Sequence, residues 1–323
     1  MKTSRYNPAT HRGTQPVRVL QHNIIHQLEN ANPGFLAELR RLVNEEGLQP
    51  GISYLVNESP VIRPDGSGCD VPCVSDDERR IELPETFLSF MWGITYALIV
   101  VFSEMSIKPE LARRGHRVER NPHLLSGAER LLSYATSLIR AYSAWNINTL
   151  PNPELYDAAD DPYIEKAIGA FVPAVVFILC HEIGHVANGD CTLANLGVYV
   201  SRFDARLDEE EADQYAIDTM VRNPSGGTFQ SPEATGIVSG LASLLMLSRT
   251  VRQERHQDTD ERLVAGVRRL KLPDESSLWG LGVAAIKLWD LHYGRNLVWP
   301  QEADSYKALF DEMAEKMITR AGR

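Results

Sequence analysis

The sequence predicts a mainly α-helical fold with a small β element near its N-terminus. Three observations predict it. Helical patterns run through most of the chain and dominate from Thr86 onward. Strand-like patterns are confined to short stretches before that point, around a segment from Pro64 to Asp77 that is rich in Gly, Pro, Ser and Asp. The 323 residues, 43% apolar and 24% charged, suit a globular protein with a sizeable core.

In chain order, residues 1 to about 30 read as irregular, ending in a short helix. A helix follows over 32–43, with Asn32 as a cap before Pro33. Residues 52–57 and 61–63 read as strands, and 80–83 as the strand that completes a small hairpin. Helices are then expected over 86–105, 126–148, 163–188, 208–222, 231–253, 258–270, 275–292 and 303–321. We divide the chain into an N-terminal segment, 1–85, and a helical domain, 86–323, packed as one unit. The apolar run from Phe87 to Phe102 is shorter than the roughly 20 residues of a spanning helix and contains Ser89, Thr95 and Tyr96. It reads as a buried core helix, with peripheral membrane contact as the alternative.

Charge and cysteine content narrow the function. A net charge of -10 repels phosphate backbones and argues against nucleic acid as a partner. The basic stretch Arg113, Arg114, Arg117 and Arg120 reads as a solvated loop. The N-terminus lacks the apolar stretch of a secretory signal. With only Cys69, Cys73, Cys180 and Cys191, the expectation is reduced thiols in the cytoplasm. Cys69 and Cys73 are loosely spaced and lack the second pair of a structural zinc site.

The chemistry-bearing motif lies at the end of the apolar stretch Ile168 to Cys180, which runs into His181-Glu182-Ile183-Gly184-His185. Two histidines four residues apart share one helix face and can converge on one ion. Glu182, beside the first ligand, suits the role of base for a metal-activated water, which makes this pattern one of zinc hydrolysis. A polar, imidazole-rich turn after a buried helix is costly without a partner, and a metal is the obvious one. Pro173 either kinks this helix or marks where its regular part begins. A catalytic zinc usually takes a third protein ligand. The segment Leu207 to Ala216 offers it: Glu209 and Asp213 share one face, and Ala212 and Ala216 permit close packing. We assign Glu209 as third ligand and Asp213 as the group that orients a ligand histidine. Glu210 and Glu211 remain alternatives within the same run.

HEIGHVANGD followed by EEEADQYA resembles the gluzincin zinc peptidases of the HtpX and Oma type, whose E-x-x-A-D glutamate binds zinc and maps onto Glu209. A later H-P-x-x-x-x-R element of those families matches His256 and Arg262, with Gln257 in place of the proline. The order of parts is similar to the Lit phage-exclusion peptidases over about residues 50 to 270. The resemblance implies a helical gluzincin domain, one Zn2+ per chain, and a cytoplasmic endopeptidase. It implies a protein substrate, elongation factor Tu, and an activating phage peptide. His256 is our candidate for stabilising the oxyanion, with Tyr215 and His292 as weaker ones. The strand region 52–83 offers either an edge for an extended substrate or a plain packing element. Regulatory cleavage of another protein, such as a repressor, and a non-catalytic zinc-stabilised binding protein are the rival functions.

Overall fold

A helix that is apolar all round must be wrapped on every side, and two such helices set this architecture. The computed structural model describes residues 3–4, 13–56, 71–75, 78–119, 121–189, 202–221, 232–247 and 258–321. The chain runs through β1 (Thr3–Ser4), α1 (Gln21–Glu29), α2 (Phe35–Glu45), β2 (Ile52–Leu55), β3 (Cys73–Val74) and β4 (Ile81–Pro84). Helices α3 (Glu85–Phe102), α4 (Lys108–Arg113) and α5 (Pro122–Ser137) follow, then β5 (Leu155–Tyr156). The remainder is α6 (Tyr163–Asn188), α7 (Arg202–Val221), α8 (Pro232–Leu245), α9 (Thr259–Arg269), α10 (Leu278–Tyr293) and α11 (Tyr306–Ala321).

Helices α3 and α6 are the two central rods. Residues 85–100 of α3 are all buried, and α6 is buried along most of its length. They are joined edge-on by Trp92 and Phe171, whose ring centroids lie 5.5 Å apart. Helices α7 and α8 cover α6, and α5 covers α3. One cluster of buried apolar side chains extends from Val17 to Met317, so the elements described between Val17 and Leu83 share a core with the helices. By length and composition both rods could cross a membrane, but 83% and 89% of their apolar windows are buried by the rest of the chain. The first rod is longer than its apolar run. A π-helical turn over Ser103–Ile107 carries it on to Arg113. There Arg113 and Arg114 are solvated and pair with Glu110. Arg120 lies outside the described residues.

Several expectations are corrected. The hairpin does not join the strand at 52–57 to that at 80–83: β2 pairs with β4 in parallel, Ile52 opposite Ile81. Parallel neighbours need a long connection, and the stretch between these two strands supplies it. The antiparallel partner of β4 is instead β3, with Cys73 opposite Glu82, inside the stretch read as a loop. Residues 61–63 and Cys69 lie outside the described residues. The first long helix after α3 starts at Pro122, because the Asn121 Oδ1 accepts the His123 N–H and caps it. It stops at Ser137, and the chain folds back to set Trp145 against Tyr134 at 5.0 Å. Asn32 does not cap α2 directly. Its Oδ1 accepts the Gly34 N–H and its Nδ2 donates to the Thr219 carbonyl, and α2 begins at Phe35. Pro173 neither starts nor ends α6, which runs through it from Tyr163.

Candidate metal centre and catalytic cavity

The end of α6 carries the site. His181 and His185 stand one turn apart with their Nε2 atoms 3.2 Å from each other. Gly189 closes the helix directly afterwards. Its φ of 85° is left-handed, and its N–H returns to the carbonyls of His185 and Val186.

The third donor arrives because α7 crosses α6 very closely. A Cβ on Gly184 would lie 3.1 Å from the Ala212 Cα and 3.3 Å from its carbonyl oxygen. Glycine opposite alanine therefore sets the helix separation. It brings Glu209 to the histidines, with Oε2 3.4 Å from His181 Nε2 and Oε1 3.8 Å from His185 Nε2. Gly184→Val is expected to force the helices apart, costing about 1–3 kcal/mol and weakening zinc binding together. Thermal melts with zinc titration check this; an unchanged zinc affinity would mean that α7 tolerates a wider gap.

These donors fit a metal. The donor atoms of His181, His185 and Glu209 lie within 4.8 Å of one another. A tetrahedral zinc with ligand bonds of about 2.0–2.1 Å holds its ligand atoms roughly 3.3 Å apart, close to the 3.2 Å and 3.4 Å seen for His181. Glu210 and Glu211 are directed elsewhere. Glu210 accepts from Gln214 Nε2, and Glu211 lines a separate cavity on the other side of α7.

A layer of buried charge supports the donors. Asp213 Oδ1 lies 2.9 Å from His181 Nδ1. A proton assigned to Nδ1 by that contact leaves the Nε2 lone pair facing His185 and Glu209. Arg262, from α9, grips Asp213 with two hydrogen bonds of 2.8 Å, from Nε to Oδ2 and from Nη2 to Oδ1. Its Nη1 also reaches Glu209 Oε2 at 3.0 Å. His181, Glu209, Asp213 and Arg262 are all buried.

The titration behaviour follows from this layout. Without a metal, burial and Arg262 lower the His181 pKa, but Asp213 and Glu209 outweigh them and raise it to about 10. Burial alone would raise Asp213; Arg262 and His181 hold it at about 2. Burial pulls Arg262 down, and Asp213 and Glu209 keep it protonated. Glu182 is only partly closed to solvent, yet burial still pushes its carboxyl above the ordinary range.

A cavity of about 250 Å³ opens over these groups, lined by His181, Glu182, His185, Glu209 and Arg262. Phe87, Ile178, Leu244 and Leu247 give it an apolar wall. Val71, Pro72 and Cys73 bring β3 to its rim. Among the described strands β3 lies at the end of the sheet order β2-β4-β3, beside the site. Sequence reasoning offered the region 52–83 as a substrate edge but read residues 64–77 as a loop, and it singled out His256 and Arg262 of the H-x5-R element, not Thr259 between them. Of the candidates for the oxyanion, His256 lies outside the described residues. Tyr215 and His292 line two other cavities, with Glu38 and with Arg140 respectively. Neither lines the cavity over the donor cluster.

The model of the family described as Peptidase U49 matches residues 81–282, which run from β4 into α10 and include His181, Glu182, His185, Glu209, Asp213 and Arg262. No curated protein and no solved structure matches the chain. With well over half of its length matched to that family, the chain belongs to the Peptidase U49 peptidases.

Proposed function

We propose that the protein is a zinc-dependent endopeptidase with His181, His185 and Glu209 as zinc ligands and Glu182 as general base. The observation that carries this reading is the three-donor cluster with an unligated glutamate on the wall of the same cavity. A closed structural zinc site usually takes four protein ligands, and among the described residues the cluster holds three.

Zinc in this site would supply Lewis acidity and bring the pKa of water towards about 7. The protein groups do the rest. Asp213 fixes the His181 ring and keeps its Nε2 a lone-pair donor. Arg262 holds both carboxylates in place. Glu182 takes a proton from the attacking water and passes it to the leaving amine. Its raised pKa makes it a stronger base than a solvated glutamate.

Removing the metal with 1,10-phenanthroline is expected to stop hydrolysis, and added Zn2+ to restore it. Binding must also release a proton from His181, so zinc affinity should rise with pH below about 10. Calorimetry in buffers of different ionisation enthalpy checks this. Affinity independent of pH would show that His181 is already neutral without the metal.

The likeness to Lit peptidases supports a narrower reading. The enzyme acts in the cytoplasm in phage defence, cleaving elongation factor Tu once a phage peptide has bound. Mapping new protein N-termini in phage-challenged cells, wild type against Glu182→Ala, tests it. A terminus in elongation factor Tu is the expected result; one in another host protein would move the substrate there.

A further inference from the structure

We infer that the Thr259 hydroxyl contacts the substrate, donating a hydrogen bond to the oxygen of the attacked carbonyl as negative charge builds on it. This rests on the peptidase reading above. Thr259 is the first residue of α9 and is 3% exposed. Its Oγ1 is buried and has no hydrogen-bond partner among the described residues. Buried hydroxyls normally find one, and several helix hydroxyls here do so through the preceding turn. Thr136 donates to the Leu132 carbonyl at 2.9 Å and Ser243 to the Ser239 carbonyl at 2.9 Å. Thr259 opens α9, so its own helix offers no carbonyl before it to accept such a bond.

Place separates Thr259 from the other unpartnered hydroxyls. Thr86, Ser89 and Thr95 also lack partners, but they belong to the packed surface of α3. Thr259 lines the cavity that holds His181, Glu182, His185 and Glu209. Arg262 lies three residues on, so the two side chains share a helix face. That face is turned towards the site, since Arg262 grips Asp213 and Glu209. Neighbouring carboxylates do not occupy the hydroxyl. Asp258 and Glu261 pair with Arg206, and Asp260 accepts the Glu261 N–H.

In the reaction, the water oxygen forms a bond to the carbonyl carbon and the π pair moves onto the carbonyl oxygen. Thr259 hydrogen-bonds that oxygen without giving up its proton. When the C–N bond breaks, the pair returns to the carbonyl and Glu182 delivers its proton to the amine. A fixed donor aimed at the developing charge lowers the barrier because it does not reorganise during the step. The sequence placed this role on His256; Thr259 belongs to the same H-x5-R element, one turn before its arginine.

The test uses zinc-loaded full-length protein, Thr259→Val and Thr259→Ser, titrated with N-phosphoryl-leucinamide, whose tetrahedral phosphoramidate oxygens imitate the oxyanion. Zinc affinity and melting temperature are read alongside. Thr259→Val should weaken phosphoramidate binding about 100-fold, the scale of losing one oxyanion donor. Thr259→Ser should restore most of it. Zinc affinity should not move, and the melting temperature should hold or rise, since valine removes an unpaired buried donor. Wild-type phosphoramidate affinity in Thr259→Val would overturn the inference and leave the peptidase reading standing. So would a weakening matched by lost zinc or a lower melting temperature that serine does not rescue. Failure of zinc-loaded wild type to bind the phosphoramidate would overturn both.

Discussion

Glu182→Gln is expected to cut peptide hydrolysis by about 10²–10⁴-fold while leaving zinc content and melting temperature unchanged. The side chain lines the catalytic cavity but is outside the three-donor cluster, so its loss removes no ligand. Glutamine keeps the shape and cannot accept the proton. Burial raises the Glu182 pKa, so the wild-type rate should climb with pH as the carboxylate forms, and Glu182→Gln should lose that limb. Zinc assay by atomic absorption and a rate on the cleaved protein check both points. A variant that keeps its rate would take Glu182 out of the base role, and one that loses zinc would make it a ligand.

The site was legible where one helix could state it. Residues four apart face the same way on any α-helix, so the pairing of His181 with His185 and of Glu209 with Asp213 needed no tertiary knowledge. The spacing from His256 also pointed to Arg262, although the structure gives Arg262 a larger role than the motif suggested. It holds Asp213 and Glu209 at once. The long buried helices were legible for the same reason, because α3 and α6 are apolar on nearly every face. What escaped depends on contacts between distant segments. The parallel pairing of Ile52 with Ile81 follows from the path of the chain between them. Gly184 looks like a variable position of the motif until Ala212 is seen 3.1 Å from where its Cβ would stand. Thr259 lacks a signature of its own in the sequence; a buried Oγ1 without a partner among the described residues, on a residue that lines that cavity, singles it out.

Arg262→Met should destabilise the metal-free protein by about 3–5 kcal/mol, the usual cost of stranding a buried charge. The arginine, at 7% exposure, sits against two carboxylates at 7% exposure each, Asp213 and Glu209. Methionine fills similar volume and supplies no counter-charge. Both carboxylates then have to be protonated or hydrated in place, and Asp213 loses the partner that does most to hold its pKa at about 2. Zinc should narrow the gap, because the metal neutralises Glu209 and acts through His181 on Asp213. The urea midpoint difference between wild type and variant is therefore expected to be larger without zinc than with it. Arg262→Lys should lie between the two, since a point charge cannot reproduce two hydrogen bonds to one carboxylate. Adding Asp213→Asn to Arg262→Met should recover part of the loss, as the pair is in direct contact and not additive. Equal midpoints for all of these proteins would mean that water already balances the charges, and that Arg262 does not hold the ligand layer together.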